Sequence, residues 1–406
     1  MKLKLALLAT TLLASGANAQ ELTIWDWKYS DPVTQGYYDS AKAAFEAAHP
    51  GVTLNFVAQP HDQYYTLLGT ALASGEGPDV VLLHGGAQTT TRAADLVDLS
   101  DLATGFSGLD AFSVDGHAYA LPLTIQGFVV YYNRARYAEA GLDPDHPPQT
   151  YDELAAVCDA INATGNVPCF ALGNKEGFGG EFMITLATAN TFTPEDYTAW
   201  AAGDLPWTDP KVRAIVDLWV DGANRGWYQD GANSTAKFMD EYESFMRGEA
   251  ANTVGLLSDV AHWKQFDEFL GAENVGAFAF PTPGSDVARL PFAGGIGWGV
   301  TAQSDEQELA RDLVRILTDG EREAIFAVDT GALPANSAVD TSALSSPTLS
   351  AILALMQAAP AGMPHAVLNP AVDEEWKRQS QLLLNGETTV DAAIEAMEQS
   401  RLANHG

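Results

Sequence analysis

Aromatic and polar side chains stand close together at several segment ends of this 406-residue sequence, which contains nine tryptophans. Trp27 and Tyr29 follow the apolar run ELTIWDW, and His84 and Gln88 follow VVLL. A flat ring offers an apolar face, while amide, imidazole and carboxylate groups exchange hydrogen bonds with hydroxyls. A small molecule with both hydroxyls and apolar C–H faces needs this combination. The pattern therefore favours a sugar-binding site.

The segment FAGGIGWG adds another candidate for the same site. Gly294 and Gly295 have no Cβ, so a ligand can approach their backbone closely, and Trp298 supplies a further ring. Tight packing of this strand against a neighbouring helix explains the same glycines equally well. The sequence leaves both interpretations open.

Motifs of enzymes are missing from the sequence. It has no G-x-S-x-G elbow, no Walker A loop and no H-E-x-x-H, and GGIGWG does not match G-x-G-x-x-G. The eight histidines are scattered without metal-ligand spacing. We therefore expect no catalytic residues, no cofactor and no metal. Carboxylates are numerous, so a secreted glycan-cleaving enzyme with two opposed carboxylates remains an alternative.

The first nineteen residues have the pattern of a secretory signal peptide. Lys2 and Lys4 precede an apolar run that ends at Leu13, and Ala17-Asn18-Ala19 forms a cleavage site. The run is shorter than the roughly 20 residues that span a bilayer. No cysteine follows the cleavage site at once, so we expect no lipid anchor. These features predict a soluble, monomeric protein of the periplasm.

The net charge of the chain excludes nucleic acid and anionic membranes as partners. The formal net charge is −32, and it becomes −34 when Lys2 and Lys4 leave with the signal. DNA and anionic membranes repel such a chain.

Cys158 and Cys169 are the two cysteines of the sequence. In an oxidising compartment they form one local disulfide, the alternative being two separate buried thiols.

The elements that must position the candidate residues alternate between strands and helices. ELTIWDW, VTLNFVA and VVLL are typical of strands, and DSAKAAFEAAHPGV and YYTLLGTALASG lie between them as helices. This order predicts an α/β fold with a parallel sheet covered on both faces. Ligands bind at the carboxyl ends of such strands, which is where Trp27 and His84 fall.

The later sequence predicts a second lobe. ALPLTIQGFVVYYN and NVGAFAFPTPG are interpreted as strands that cross between lobes. Helices dominate between the two, beginning with TYDELAAVCDAINATG, where Thr150 and Glu153 form a capping box. FAGGIGWGVTAQS and the helix after it then return to the pattern of the beginning.

Motifs along the whole mature chain resemble, in order, the extracellular solute-binding proteins that include maltose-binding protein. The segments that carry the resemblance are ELTIWDW, FEAAHPGVTL, YYTLLGTALASGEGPDVVLLHGG, LVDLSDL, FSVDGHAYALPLTIQGFVVYYNRARYAEAGLD, PPQTYDEL, FMRGEAANTVG, FAGGIGWGVTAQSDEQELARDLVRILTDG and GALPANS. The resemblance implies a two-lobed periplasmic-binding-protein fold that closes on a sugar. It also implies delivery to the membrane permease of an ABC importer whose ATPase is a separate chain.

The resemblance also implies bounds for the lobes. We expect the first lobe to comprise residues 20–125 and 282–335, and the second to comprise residues 128–279 and 336–406. Hinges are expected near residues 126–127, 280–281 and 335–336.

Further site residues follow from the same resemblance. Gln126 stands in the first crossing where maltose-binding protein has a glutamate, which implies a different sugar or pose. In ALGNKEGFGGEF, Glu176 and Phe178 match an acidic and an aromatic ligand contact. The remaining candidates are neighbours of those two or lie in TVGLLSDVAHW and GMPHAVLNP: Asn174, Glu181, Asp259, Trp263, and His365 or Asn369.

The prediction is thus a carrier of a mono- or small oligosaccharide. A polyol, a polyamine or another small solute on the same fold is the first alternative, and the glycan-cleaving enzyme is the second.

Overall fold

The computed structural model describes residues 20–257 and 262–405, so the predicted signal peptide at residues 1–19 lies outside the described residues. The strands are β1 (Gln20–Asp26), β2 (Val52–Ala58), β3 (Val80–His84), β4 (Ser113–Val114), β5 (His117–Ala118), β6 (Leu121–Pro122), β7 (Thr124–Asn133), β8 (Asn252–Leu256), β9 (Val275–Phe278), β10 (Leu290–Gly294), β11 (Ile296–Val300), β12 (Leu333–Pro334) and β13 (Pro360–Ala361).

Helices make up most of the remaining structure. The α-helices are α1 (Gln35–Ala48), α2 (Tyr64–Ser74), α3 (Ala87–Thr90), α4 (Arg134–Glu139), α5 (Tyr151–Ala163), α6 (Phe178–Thr188), α7 (Pro194–Ala201), α8 (Pro210–Asn224), α9 (Tyr242–Met246), α10 (His262–Leu270), α11 (Gln307–Leu317), α12 (Gly320–Thr330), α13 (Pro347–Ala358), α14 (Pro370–Leu384) and α15 (Val390–Ala403). Short 3-10 turns lie at Pro32–Thr34, Ala93–Asp95, Leu109–Phe112, Ala232–Ser234, Ala272–Asn274, Thr341–Leu344 and Pro364–Val367, and Lys237–Glu241 is a π-helical turn. In the described part of the chain, no helix is both long and apolar enough to span a bilayer.

The first sheet has the strand order β2-β1-β3-β11-β6. β1 pairs in parallel with β2 and β3, and β11 returns antiparallel between β3 and β6. Helix α1 covers this sheet because Tyr37, Ala41 and Phe45 repeat at a spacing of four residues and are fully buried. The predicted alternation of strands and helices is therefore confirmed at the start of the chain.

The second sheet is built around β7 and contains the path β12-β7-β10-β13, with β8 and β9 also paired to β7. Residues 124–127 of β7 pair with β10 and β12, whereas residues 128–133 pair with β8 and β9. Nine of its ten positions are buried, and Gln126 is the partly exposed one. A strand buried on both faces reads as a continuous apolar run, as TIQGFVVYYN does.

The chain passes between the two sheets three times. It leaves the first sheet between β6 and β7, at residue 123, and returns between β10 and β11, at residue 295. It enters the second sheet again between β11 and β12, through α11 and α12. The predicted hinge at 126–127 lies inside β7, and the one at 280–281 lies between β9 and β10, which both pair with β7. The bounds of the lobes and the hinge positions stay predictions.

Two local predictions for the second half are confirmed. Thr150 caps α5 through the backbone N–H of Glu153, whose carboxylate in turn accepts from the backbone N–H of Thr150. Cys158 in α5 and Cys169 form the predicted disulfide, so the interpretation as two separate thiols does not hold. The bridge joins α5 to the segment that leads into the Asn174 loop.

Glu323 in α12 is a buried carboxylate with an incomplete set of partners. Its Oε2 accepts from the backbone N–H of Asn336 at 2.8 Å, while Oε1 is buried without a hydrogen bond. Burial raises the pKa of Glu323 well above its usual value, and the charge of Asp319 adds to the effect. Burial therefore favours the protonated form of Glu323 in the folded protein.

We expect Glu323→Gln to raise the free energy of unfolding at pH 7 by about 1 kcal/mol or more. Because the folded pKa is raised, the stability that protonated Glu323 provides is complete below the unfolded pKa and is lost as pH rises toward the folded pKa. The gain should thus vanish near pH 4. Urea unfolding at pH 4 and pH 7 measures it, with exposed Glu321→Gln as the control. Equal stability of wild type and variant at both pH values would contradict the prediction.

Candidate functional site

Rings and polar groups gather at the carboxyl ends of β1 and β3. We call this set the aromatic patch, and its members are Trp27, His61, Tyr65, His84, Gln88 and Arg92. Trp27 stacks on His84 with ring centroids 4.6 Å apart and planes 16° from parallel. The His61 ring lies 5.3 Å from Trp27, and the Tyr65 hydroxyl lies 2.8 Å from His84 Nδ1. The predicted proximity of Trp27, His84 and Gln88 is thus present in the structure.

A buried carboxylate sets the position of Trp27. Asp26, the last residue of β1, accepts hydrogen bonds at 2.8 Å from the backbone N–H groups of Lys28 and Tyr29. Burial raises the pKa of Asp26 to about 6, although these hydrogen bonds oppose the shift. The resulting turn leaves the Trp27 ring above Tyr64, which it meets edge-on at 4.8 Å.

Gln88 and Arg92 complete the aromatic patch from α3 and the residues after it. Arg92 Nη1 donates to the Gln88 carbonyl oxygen at 2.7 Å and to Gln88 Oε1 at 2.8 Å. Its guanidinium carbon lies 4.8 Å from the centre of the Tyr65 ring. Sequence reasoning did not identify His61, Tyr65 or Arg92. The spacing of four residues from His84 to Gln88 and from Gln88 to Arg92 could have indicated that Arg92 belongs with the other two.

Three predicted aromatic residues are absent from the aromatic patch. Tyr29 stacks on Phe56 at 5.0 Å and meets Tyr38 edge-on. Trp298 is fully buried and its indole N–H donates to the Tyr37 hydroxyl at 2.8 Å. Trp263 is also buried, and its indole N–H donates to the carbonyl oxygen of Gly331 at 2.9 Å. In this structure both tryptophans are core residues and offer no ring face to a ligand.

Gly294 and Gly295 follow the packing interpretation. A Cβ added at Gly294 would clash with the carbonyl oxygen of Gly108, and one at Gly295 would lie 2.5 Å from Thr124 Oγ1. The glycines therefore let the chain pass closely between the two sheets. Asp259 lies outside the described residues.

A second group of side chains forms what we call the charged patch: Phe178, Glu181, His365, Asp373 and Lys377. Lys377 Nζ lies 3.1 Å from Glu181 Oε2 and 2.9 Å from Asp373 Oδ2. It also stands 5.3 Å from the centre of the Phe178 ring. The first turn of α6, the turn at Pro364–Val367 and the first half of α14 bring these residues together. Three of the predicted ligand contacts, Phe178, Glu181 and His365, therefore lie in one group, and their contact with a ligand stays a prediction.

Burial governs the protonation of the charged patch. It lowers the pKa of His365 to about 4, so this imidazole is neutral at pH 7, and His365 Nδ1 lies 2.6 Å from Thr185 Oγ1. Burial and the charge of Glu181 raise the pKa of Asp373 to about 8. Burial alone would lower the pKa of Lys377, but Glu181 and Asp373 outweigh it and raise that pKa. Lys377 therefore stays charged, with the carboxylates of Glu181 and Glu374 beside it.

Two predicted residues of the neighbouring loop have other roles. Asn174 is fully buried: its Oδ1 accepts from the backbone N–H of Gly180 at 2.9 Å, and its Nδ2 donates to Asn233. Glu176 is exposed and accepts from the backbone N–H of Lys237 at 3.2 Å. Phe238, which sequence reasoning missed, is 39% exposed and lies 5.1 Å from Phe178, so it extends the ring surface of the charged patch.

The chain segments that carry the two patches touch at Gly86 and Ala366. A Cβ added to Gly86 would clash with the carbonyl oxygen of Ala366. Gly86 follows His84 by two residues and Ala366 follows His365 directly, so this contact brings the edges of both patches together. Asn369 instead caps α14, accepting from the backbone N–H of Ala371.

Gln126 lies beside this junction. Its partly exposed side chain makes no hydrogen bond to the described residues. Phe128, on the same face of β7 two residues on, stacks on His365 at 5.0 Å. Gln126 therefore lies on the same face of β7 as a residue that contacts the charged patch. No group of three potential metal-ligating side chains lies together in the residues the structure describes.

Comparison with known proteins assigns the chain to a family. Residues 40–351 match the bacterial extracellular solute-binding protein family, and the chain belongs to it. A binding protein of Brucella abortus is 31% identical over 188 residues, or 43% of this chain and 42% of that protein. The diacetylchitobiose-binding protein of Streptomyces coelicolor is 26% identical over 81% of this chain and 76% of its own.

The fold agrees with solved structures. A chitin oligosaccharide binding protein superposes with a TM-score of 0.85 at 23% identity, over 95% of this chain and 99% of its own. This confirms the predicted two-lobed α/β fold. The aligned stretch spans less than half of the Brucella protein. The family to which the chain belongs consists of binding proteins.

We expect Gly86→Ala to destabilise the protein more than Gly116→Ala does. Both glycines have positive φ, +79° and +83°, so both variants carry a backbone cost of roughly 1 to 3 kcal/mol. Gly86 also has ψ −141°, a conformation close to the region that essentially only glycine adopts, and its added Cβ would clash with Ala366. A Cβ at Gly116 has no atom within 4 Å, so Gly116→Ala shows the cost of a positive φ without a clash. Urea unfolding measures both free energies. Equal losses would contradict the prediction that Gly86 is constrained by its conformation and by Ala366.

Proposed function

We propose that this protein is the periplasmic substrate-binding component of an ABC importer and that it binds a mono- or small oligosaccharide. The observation that carries the proposal is the meeting of the aromatic patch and the charged patch at Gly86 and Ala366. Trp27 and Phe178 supply apolar faces for sugar rings on the two sides. Gln126, Gln88 and Glu181 supply amide and carboxylate groups for hydroxyls.

Binding would act by closure of the two lobes. A ligand that touches both patches stabilises the arrangement in which they are close, and a ligand that touches one patch shifts nothing. The passages near residues 123 and 295 are the places where backbone rotation would move one sheet relative to the other. The predicted hinge at 335–336 would be a third.

Delivery would follow closure. The closed protein presents both lobes to a membrane permease, and a separate ATPase chain powers transport. Membership of the extracellular solute-binding family and the signal-peptide pattern support export to the periplasm. The strongly acidic surface, at a formal charge of −32, opposes binding to nucleic acid.

A ligand panel tests the proposal. Isothermal titration of the mature protein with mono-, di- and trisaccharides, polyols and polyamines should give its tightest binding for a saccharide. Product analysis after incubation with that saccharide should recover it unchanged. Preferential binding of a polyol or polyamine, or cleavage of the saccharide, would replace the proposal by one of the two alternatives.

Aromatic variants test the site. Trp27→Ala and Phe178→Ala should each weaken binding of the best saccharide by about 1 kcal/mol or more, because each removes a ring face. Phe269 is 71% exposed and belongs to neither patch, so Phe269→Ala is the matched control and should leave affinity unchanged. Titration calorimetry measures all three. If the Trp27 and Phe178 variants bind as tightly as the control, the ligand lies elsewhere.

A further inference from the structure

Within the part of the chain that the structure describes, Arg92 differs from almost every other arginine in having no carboxylate partner. The sequence contains twelve arginines, and ten of them form ion pairs in the structure. Arg289 is the other exception, and it is exposed to water. Arg92 is partly buried, and no carboxylate of the described residues lies within ion-pair distance of it.

The surroundings of Arg92 leave part of its guanidinium available. Nη1 is occupied by the two oxygens of Gln88. Nε and Nη2 donate to no acceptor among the described residues, and neither atom is sealed from solvent. These two nitrogens form the edge of a guanidinium that matches the two oxygens of a carboxylate.

The aromatic patch holds that edge in place. Tyr65 lies beneath the guanidinium at 4.8 Å, and its hydroxyl accepts from the backbone N–H of His84. The double contact with Gln88 fixes the other end. An arginine held rigidly in this way loses little conformational entropy when a ligand pairs with it.

In the charged patch, by contrast, the cation Lys377 has carboxylate partners. Lys377 lies within 3.1 Å of carboxylates from Glu181, Asp373 and Glu374. A ligand that reaches Lys377 therefore meets no net positive charge. Arg92 is the cation of the two patches that forms no ion pair with a carboxylate of the described residues, although Asp95 is near enough to act on its charge.

We propose that the ligand carries an anionic group, a carboxylate or a phosphate, that pairs with Nε and Nη2 of Arg92 while the sugar ring stacks on Trp27. This inference rests on the proposed function and names its substrate class as acidic saccharides. The overall negative charge opposes such a ligand only weakly, because its field is screened over roughly 8 Å at physiological ionic strength.

Matched ligands test the charge directly. Trigalacturonate is compared with its methyl ester and with galactotriose, and glucose 1-phosphate is compared with glucose, so the carboxylate and phosphate arms separate the two anions. We expect at least one acidic ligand to bind about ten-fold tighter or more than its neutral counterpart. Its affinity should fall as salt rises, whereas that of the neutral ligand should not.

Variants of Arg92 test the residue. Arg92→Gln keeps polar donors without the charge and should weaken binding of the acidic ligand by about 100-fold while changing that of the neutral ligand less than about 3-fold. Arg92→Lys should recover part of the loss, and Arg289→Gln is the control that should bind as the wild type does. Circular dichroism and thermal unfolding establish that each variant is folded.

Two results would overturn the inference and leave the proposed function standing. One is tight binding of a neutral saccharide with no gain for any acidic ligand. The other is an equal loss for acidic and neutral ligands in Arg92→Gln, which would make Arg92 a positioning residue for Gln88 and Tyr65. If the folded wild type binds no saccharide of either kind, the proposed function itself fails.

Discussion

The hydrogen bonding of β7 is the constraint on which the rest of the structure depends. Its backbone is almost completely buried, so every N–H and C=O group needs a partner. Four antiparallel strands, β8, β9, β10 and β12, supply partners along its length. β10 ends directly before the passage at residue 295, and β12 is the strand at which the chain enters the second sheet again after β11. The pairing of one strand thereby sets where the two sheets meet, and Gln126 is the position at which β7 faces outward.

The junction of the sheets explains why the candidate site is divided into two patches. Gly86 and Ala366 come into backbone contact, and that contact is possible because residue 86 has no side chain. Trp27 and His84 lie on one side of it, and Phe178 and His365 lie on the other. Under the proposed function, a ligand would contact both sides. A change in the angle between the sheets therefore changes the site more than it changes either core.

Charge is distributed unequally over these two sides. In the charged patch Lys377 lies beside Glu181, Asp373 and Glu374, and burial keeps His365 neutral. The aromatic patch contains Arg92 with the Gln88 oxygens as its polar partners. Although the chain has a net charge of −32, Arg92 forms no ion pair with a carboxylate of the residues the structure describes. Its rigid support comes from Tyr65 and Gln88.

The sequence by itself determined the features that depend on neighbouring residues and on the order of motifs along the chain. Hydrophobic periodicity predicts the first strands and helices, the Thr150 and Glu153 spacing predicts a capping box, and a pair of cysteines allows one disulfide. Such features depend on neighbours along the chain, and motif order added the two-lobed fold. Only the tertiary structure decided which polar and aromatic residues share a surface. Trp298 and Trp263 enter cores and Asn174 is buried, while His61, Tyr65 and Arg92 join Trp27, because these outcomes depend on contacts between residues distant in sequence.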